Sequence, residues 1–402
     1  MGERPVRALF AGASMEPDWE GGEPVFADLL ERGLRDLGVD VVREGSRRGL
    51  LGFAALAATP YDIEVQRLFQ YRRRLRAARP DVVLAFFDYD CSLILAAHQE
   101  GIPVVACTQI YWPTCPIGTH YIEGVGVCYE PGLAKCVRHA ARSPVSPNLG
   151  IPVPGLPPPL GLALYSKLWT RHRVLSLAGA IACNSEFMAG VLRRAGYAKV
   201  HAIHNGVDAG LFDPVPWNEP ARTVLYPVAR SGQERKGFPH FAELARTLRL
   251  EDPTVRCKVL NYPGDDVIDG TPYLARAELA AEFRRTYVAV VPGLWDEPFG
   301  LVVVEAMAAG RPVVAYGTGG IPEIIEDGVS GILVPRGDRS ALLSAVRGLL
   351  ADPARARRMG AEARARVEAK FGYERTARSY LALIERLLDT ASRPPKAWPA
   401  GP

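Results

Sequence analysis

The chain has 402 residues, 48% apolar and 23% charged, the balance of a globular protein with core enough for about two domains. A net charge of +4 over this length lacks the strong basic excess of a nucleic-acid binder. No run approaches the roughly 18 apolar residues that span a bilayer. No signal-length apolar core follows Met1, and seven scattered cysteines do not read as a secreted disulfide framework, so a cytoplasmic location is expected.

Along the chain, short β-branched runs alternate with helical patterns. Residues 6–11 predict a strand, 25–37 a helix, 39–43 and 81–86 strands, 93–98 a helix and 103–106 a strand. Residues 178–183 and 200–204 close the first half in the same style, after a Pro-dense stretch over 141–159 that predicts a surface loop. Turn signals cluster over 205–217, where Asn205-Gly206, Asp213-Pro214 and Val215-Pro216-Trp217 separate two alternating blocks. The alternation then restarts: strand 223–228, helix 238–248, strands 255–260 and 287–291, helix 302–309, strand 312–315. This pattern predicts an α/β protein with two Rossmann-like domains, and strands without in/out alternation predict parallel sheets buried on both faces. Two such domains facing each other would enclose a cleft at the carboxyl ends of their strands. The Pro-rich tail, 391–402, predicts disorder.

Three stretches carry chemistry. Glu297 and Glu305 straddle a strand end, a loop and a helix start. Glu297 falls in the loop, where a carboxylate can accept hydrogen bonds from sugar hydroxyls, and Glu305 falls in the helix's second turn, where it can reach a vicinal diol such as a ribose. Between them Phe299, Gly300 and Leu301 offer backbone N–H groups at a helix N-terminus, a site for an anion or polar ligand. Arg230 and Lys236 form a basic turn after the strand ending at Val228, suited to phosphate. Gly21 and Gly22, between the first strand and helix, let the backbone approach a phosphate closely. Phe10-Ala11-Gly12-Ala13-Ser14-Met15 lacks the G-x-G-x-x-G that a nicotinamide site would want.

The Glu297–Glu305 spacing resembles the E-x7-E motif of family 4 retaining glycosyltransferases. The text that follows agrees, through Glu305-Ala306-Met307, Gly319-Gly320-Ile321-Pro322-Glu323 and Asp327-Gly328. The resemblance implies a GT-B fold, with two Rossmann-like domains facing a central cleft and a helix over about 371–390 crossing back to the first. It implies an acceptor domain over 1–204 and a donor domain over 205–370. Glu297 would hold the donor sugar, Glu305 the ribose, and Arg230 and Lys236 the diphosphate, with the Gly21-Gly22 loop over it. The implied co-substrate is a nucleotide diphosphate sugar, a UDP- or GDP-sugar, and no metal or other cofactor is called for. The acceptor would be a small molecule, a glycan or a lipid-linked group. Epimerisation or hydrolysis of a nucleotide sugar, or its binding without catalysis, are the alternatives on the same fold.

The chain also departs from the family. Gln109-Ile110 stands where many relatives carry His-Asp, and the turn after Leu260 is short, so no base-contact residue is carried over. Asp88, Asp90 and Gln109 are candidate acceptor contacts; the two aspartates read equally as turn residues and a helix cap. Cys115, Cys128, Cys136 and His139 have ligand types that suit zinc, or are free thiols or a local disulfide. A basic run at Arg72, Arg73, Arg74 and Arg76, and a helix over 160–175 carrying Lys167, Arg171 and Arg173, could meet an anionic membrane surface, or be core-facing helices with solvated basic sides.

Overall fold

The computed structural model describes residues 4–12, 22–45, 63–86, 91–116, 118–122, 124–136, 158–214, 222–228 and 234–392. Of the residues singled out in the sequence, Gly21, Asp88, Asp90, His139 and Arg230 lie outside these, as does most of the Pro-dense stretch.

Two six-stranded, all-parallel sheets form the molecule. The first has the order β2 (Asp40–Gly45), β1 (Arg7–Gly12), β3 (Val82–Phe86), β4 (Val104–Thr108), β7 (Ala180–Cys183), β8 (Val200–Ala202). The second has the order β11 (Ile268–Gly270), β10 (Arg256–Val259), β9 (Thr223–Tyr226), β12 (Val288–Val291), β13 (Val313–Tyr316), β14 (Ile332–Val334). A small antiparallel hairpin, β5 (Tyr121–Ile122) and β6 (Gly126–Val127), stands apart from both. The central strands β3, β4, β7, β9, β12 and β13 are buried along their whole length, because helices cover both faces. Their continuous apolar runs are therefore the signature of position in the sheet.

The helix Gly22–Asp36 buries Phe26, Ala27, Leu30, Gly33 and Leu34, one stripe at helical spacing. That stripe meets the last helix, Tyr373–Ser392, through Ala377, Tyr380, Leu383 and Ile384. The terminal helix thus crosses from the second sheet back to the first. The contact is close: a Cβ at Gly33 would sit 2.5 Å from that of Ala377.

The two halves touch at the base of the cleft. Ser185 Oγ donates to the Pro298 carbonyl at 2.5 Å. The Glu323 carboxylate accepts from the backbone N–H groups of Glu186 (2.9 Å) and Phe187 (2.8 Å), capping the helix Glu186–Arg194 from the opposite half. His204 lies 2.7 Å from Glu323.

Several local expectations change. The helix Pro158–Leu175 begins inside the expected loop, since proline is accepted in a helix's first turn. The last helix runs to Ser392, two residues into the expected tail. The basic run lies on the helix Val65–Ala78 and is largely neutralised: Arg72 and Arg76 share Glu100 (2.6 and 2.7 Å), and Arg74 pairs with Glu44 (2.7 Å). Lys167 and Arg171 are buried at 2% and 1% exposure, whereas Arg173 is exposed and lies over the exposed Trp169 ring at 4.7 Å, so only part of that helix's basic side is solvated. Arg171 lies over the Trp112 ring and donates to the Trp112 carbonyl at 2.9 Å. Among the described residues no helix is long and apolar enough to cross a membrane.

Candidate active site

A cleft opens between the halves, with an empty volume of about 980 Å³ including its mouth. Gly22, Gln109 and Asn184 line it from the first half, Asn205 from the connection between the halves, and Lys236, Glu297 and Leu301 from the second.

Glu297 leaves β12 in the loop before the helix Leu301–Ala308. The loop is fixed from its backbone. Gly320 N–H donates to the Glu297 carbonyl at 2.8 Å, and Gly319 N–H to the Asp296 carboxylate at 3.2 Å. Gly319 has a φ of 58°, and a Cβ there would lie 2.2 Å from the Glu297 carbonyl oxygen, so only glycine fits. Asp296, 2% exposed, is also paired with Arg336 and accepts from the Tyr129 hydroxyl.

The Glu297 side chain is held as firmly. Its Oε2 accepts from Lys236 Nζ at 2.7 Å and from Trp295 Nε1 at 2.9 Å. Lys236 sits in a short 3-10 turn, Glu234–Lys236, which Gly237 terminates in the left-handed region (φ 79°). A Cβ at Gly237 would strike the Pro292 carbonyl at 1.7 Å, so β12 and the basic turn abut. Burial pulls the Lys236 ammonium below its ordinary pKa, and the Glu297 carboxylate opposes that pull. A desolvated cation of this kind binds an added anion strongly.

The Trp295 ring lies under both Arg235 (4.7 Å) and Lys236 (4.4 Å) and meets Tyr111 of the first half edge-on at 6.4 Å. A Trp295→Phe variant keeps the ring and drops the N–H that holds Glu297. Turnover is expected to fall about tenfold, the scale of one hydrogen bond to a charged group, with the melting temperature somewhat lowered because the smaller ring leaves a gap at a site only 4% exposed. Unaltered kinetics would mean that Lys236 alone sets the carboxylate.

Phe299, Gly300 and Leu301 open the helix N-terminus as the spacing predicts, all lining the cleft. Gly22 faces them from the first half: a Cβ there would lie 3.5 Å from Leu301 Cδ2. Glu305 stands one turn further on, 1% exposed, its carboxylate paired with Arg276 from the start of the helix Arg276–Arg285. Burial raises the Glu305 pKa and Arg276 counters it. Arg276 was not legible beforehand, because nothing local ties it to Glu305.

Glu234 ties the two halves together. It accepts from the Tyr121 hydroxyl (3.2 Å) and the Gly124 N–H (3.3 Å), so the β5–β6 hairpin leans on the basic turn from the opposite half. Cys115, Cys128 and Cys136 do line one small pocket, beside His120 and Thr114. All seven cysteines are free thiols, and no cluster of three His, Cys, Asp or Glu groups that could hold a metal occurs among the described residues. His120 is committed elsewhere, Nδ1 to the Cys128 carbonyl (2.6 Å) and Nε2 to Thr114 Oγ1 (2.7 Å).

Residues 21–211 match the family model described as Glycosyltransferase Family 4, and residues 231–366 the one described as Glycosyl transferases group 1. A D-inositol 3-phosphate glycosyltransferase of Kineococcus radiotolerans is 36% identical over 189 residues, 44% of this chain and 39% of its own. A glycogen synthase of Mycobacterium tuberculosis is 33% identical over 207 residues, 46% of this chain and 49% of its own. The alignments with these two curated relatives span less than half of each. Sucrose-phosphate synthase from Thermosynechococcus elongatus superposes over 96% of this chain and 100% of its own, with a TM-score of 0.67 and 20% identity. Anabaena HepE in complex with UDP-glucose does so over 95% and 100%, with a TM-score of 0.65 and 14% identity. At these identities the likeness concerns the fold.

Proposed function

This chain belongs to the family 4 glycosyltransferases and has the GT-B fold, and from that premise we propose that it moves a sugar from a nucleotide diphosphate onto an acceptor hydroxyl with retention of anomeric configuration. The observation that carries the reading is the Lys236–Glu297 pair, 2.7 Å apart on one wall of the interdomain cleft, beside the helix N-terminus at Gly300. The second half, from residue 205, takes the donor, a UDP- or GDP-sugar. The first half takes the acceptor, a small molecule, a glycan or a lipid-linked group.

The chemistry follows from charge. Breaking the bond between the anomeric carbon and the β-phosphate oxygen leaves both electrons on the phosphate. Lys236 and Arg230 stabilise that developing charge, and the Gly300 helix N-terminus adds partial positive charge. On donor binding the diphosphate replaces Glu297 as the partner of Lys236, and Glu297 accepts from sugar hydroxyls. The acceptor hydroxyl attacks on the face the phosphate leaves, and its proton passes to the departing phosphate oxygen. This front-face route asks nothing of the His that Gln109 replaces.

Calorimetric titration with UDP, GDP, ADP and TDP tests the site. One nucleotide is expected to bind, with affinity falling about 10- to 100-fold in Lys236→Ala and in Arg230→Ala, the worth of a charge-assisted hydrogen bond. Equal binding by both variants would remove the phosphate assignment. Product formed without any acceptor would reassign the chain to hydrolysis or epimerisation.

A further inference from the structure

The β5–β6 hairpin belongs to the first half but bonds to the second at two places. The Tyr121 hydroxyl and the Gly124 N–H both donate to Glu234, two residues before Lys236. Beyond the hairpin's second strand, the Tyr129 hydroxyl donates to the carboxylate of Asp296, the residue before Glu297. Each member of the Lys236–Glu297 pair therefore has a close neighbour in sequence that is held from across the cleft.

The hairpin is firmly rooted in its own half. His120, 4% exposed, joins its two arms: Nδ1 lies 2.6 Å from the Cys128 carbonyl, and the His120 carbonyl accepts from the Cys128 N–H at 2.7 Å. The ring meets Tyr111 edge-on at 5.0 Å and Nε2 meets Thr114 Oγ1, both in the turn after β4. Arg171 and Tyr197 pin that turn at the Trp112 and Pro113 carbonyls. The Tyr129 ring lies beside His120, centroids 6.2 Å apart. His120 also has a φ of 51°, in the left-handed region that residues other than glycine rarely adopt. Such a conformation persists where the surroundings over-determine it, as the bonds to both ring nitrogens and to the carbonyl do here.

Asp296 is the receiving end. It is 2% exposed, and within the second half it is already paired with Arg336 and accepts from the Gly319 N–H at 3.2 Å. Its charge is balanced and its direction set without any group from the first half. Tyr129 adds a further donor while remaining 49% exposed, so it gains little by burial. What the bond does is tie a rooted element of one half to the loop that carries Glu297 in the other.

We propose that the hairpin is a strut by which the first half positions Glu297, with Tyr129 acting through Asp296 as the positioning residue and the Glu234 contact seating the strut. The proposal rests on the reading of Glu297 as the group that holds the donor sugar. Small displacements of such a group cost rate out of proportion to their size. Losing the strut therefore lowers turnover and leaves the grip on a bare nucleotide, which Glu297 does not hold, as it was.

Tyr129→Phe removes one hydroxyl at a half-exposed ring and keeps every charge. Tyr121→Phe loosens the strut's other contact, where the Gly124 N–H still holds Glu234. Thermal melting confirms that both fold. The indole N–H resonance of Trp295, assigned by its loss in Trp295→Phe, reports the bond from Trp295 Nε1 to Glu297 without any substrate. Calorimetry gives the affinity for UDP and GDP, and nucleotide release from UDP-glucose or GDP-mannose gives turnover. In Tyr129→Phe the indole resonance is expected to move and kcat to fall about three- to tenfold, the worth of one hydrogen bond, with nucleotide affinity unchanged. Tyr121→Phe is expected to do the same to a smaller extent. A folded Tyr129→Phe protein with the resonance and turnover of the wild type overturns the proposal. So does a loss of nucleotide affinity equal to the loss of turnover, which would show a general loosening of the cleft. A wild type that binds no nucleotide sinks the underlying reading, and the indole resonance still decides whether Tyr129 sets Glu297.

Discussion

Replacing Glu297 with alanine is expected to lower turnover at least a hundredfold while the protein stays folded. The fold should survive because the loop is held from its backbone, by the Gly320 N–H on the Glu297 carbonyl and by Ser185 on the neighbouring Pro298 carbonyl. Neither contact uses the carboxylate. The loss should be large because the side chain is aimed, not merely present: Lys236 and Trp295 both donate to the same oxygen. Groups pre-oriented in a water-poor site typically contribute two to three powers of ten to turnover. Glu297→Gln sharpens the test, since it keeps an oxygen for Trp295 and removes the charge that balances Lys236. Steady-state kinetics with the donor found by titration, alongside circular dichroism, decide it. Wild-type turnover in a folded Glu297→Ala protein would end the assignment.

Arg276→Ala is expected to destabilise the protein by about 3 kcal/mol near neutral pH, because it strands a buried carboxylate. Glu305 is 1% exposed and Arg276 is its ion-pair partner. Part of the cost is relieved by protonation, and the direction follows from burial. Burial already raises the Glu305 pKa, and removing Arg276 takes away the group that opposes the rise. A carboxyl whose folded pKa is raised stabilises the fold fully below its unfolded pKa, near 4.3, and loses that contribution as pH climbs through the folded value. The variant should therefore lose less stability at pH 5 than at pH 8, read as urea midpoints at each. A companion, Arg276→Leu with Glu305→Leu, should recover much of the loss, as apolar replacements of buried pairs do. A single-variant cost under about 1 kcal/mol would show the pair to be incidental. If the ribose of the donor reaches Glu305, the double variant also binds nucleotide more weakly.

The sequence by itself determined the α/β class, the two alternating blocks and the placement of Glu297 in a loop with Glu305 in the following helix's second turn. These are local matters. A buried parallel strand needs an unbroken apolar run such as Val288–Val291. The crossing of the last helix came from resemblance rather than periodicity, and the structure supplies its cause in the Gly33–Ala377 approach.

Tertiary structure alone decided which distant residues meet. Arg276 closes on Glu305 from 29 positions away, and Gln109 joins Asn184 and Asn205 from 75 and 96 positions away. Glu234 takes the Tyr121 hydroxyl across 113 positions. Hydrophobic period reports whether a segment is strand or helix and which face it buries, but it carries no information on strand order. Strand order places β4, β7 and β8 side by side, and that adjacency gathers three amides, each unremarkable in its own stretch of sequence, at one edge of the cleft.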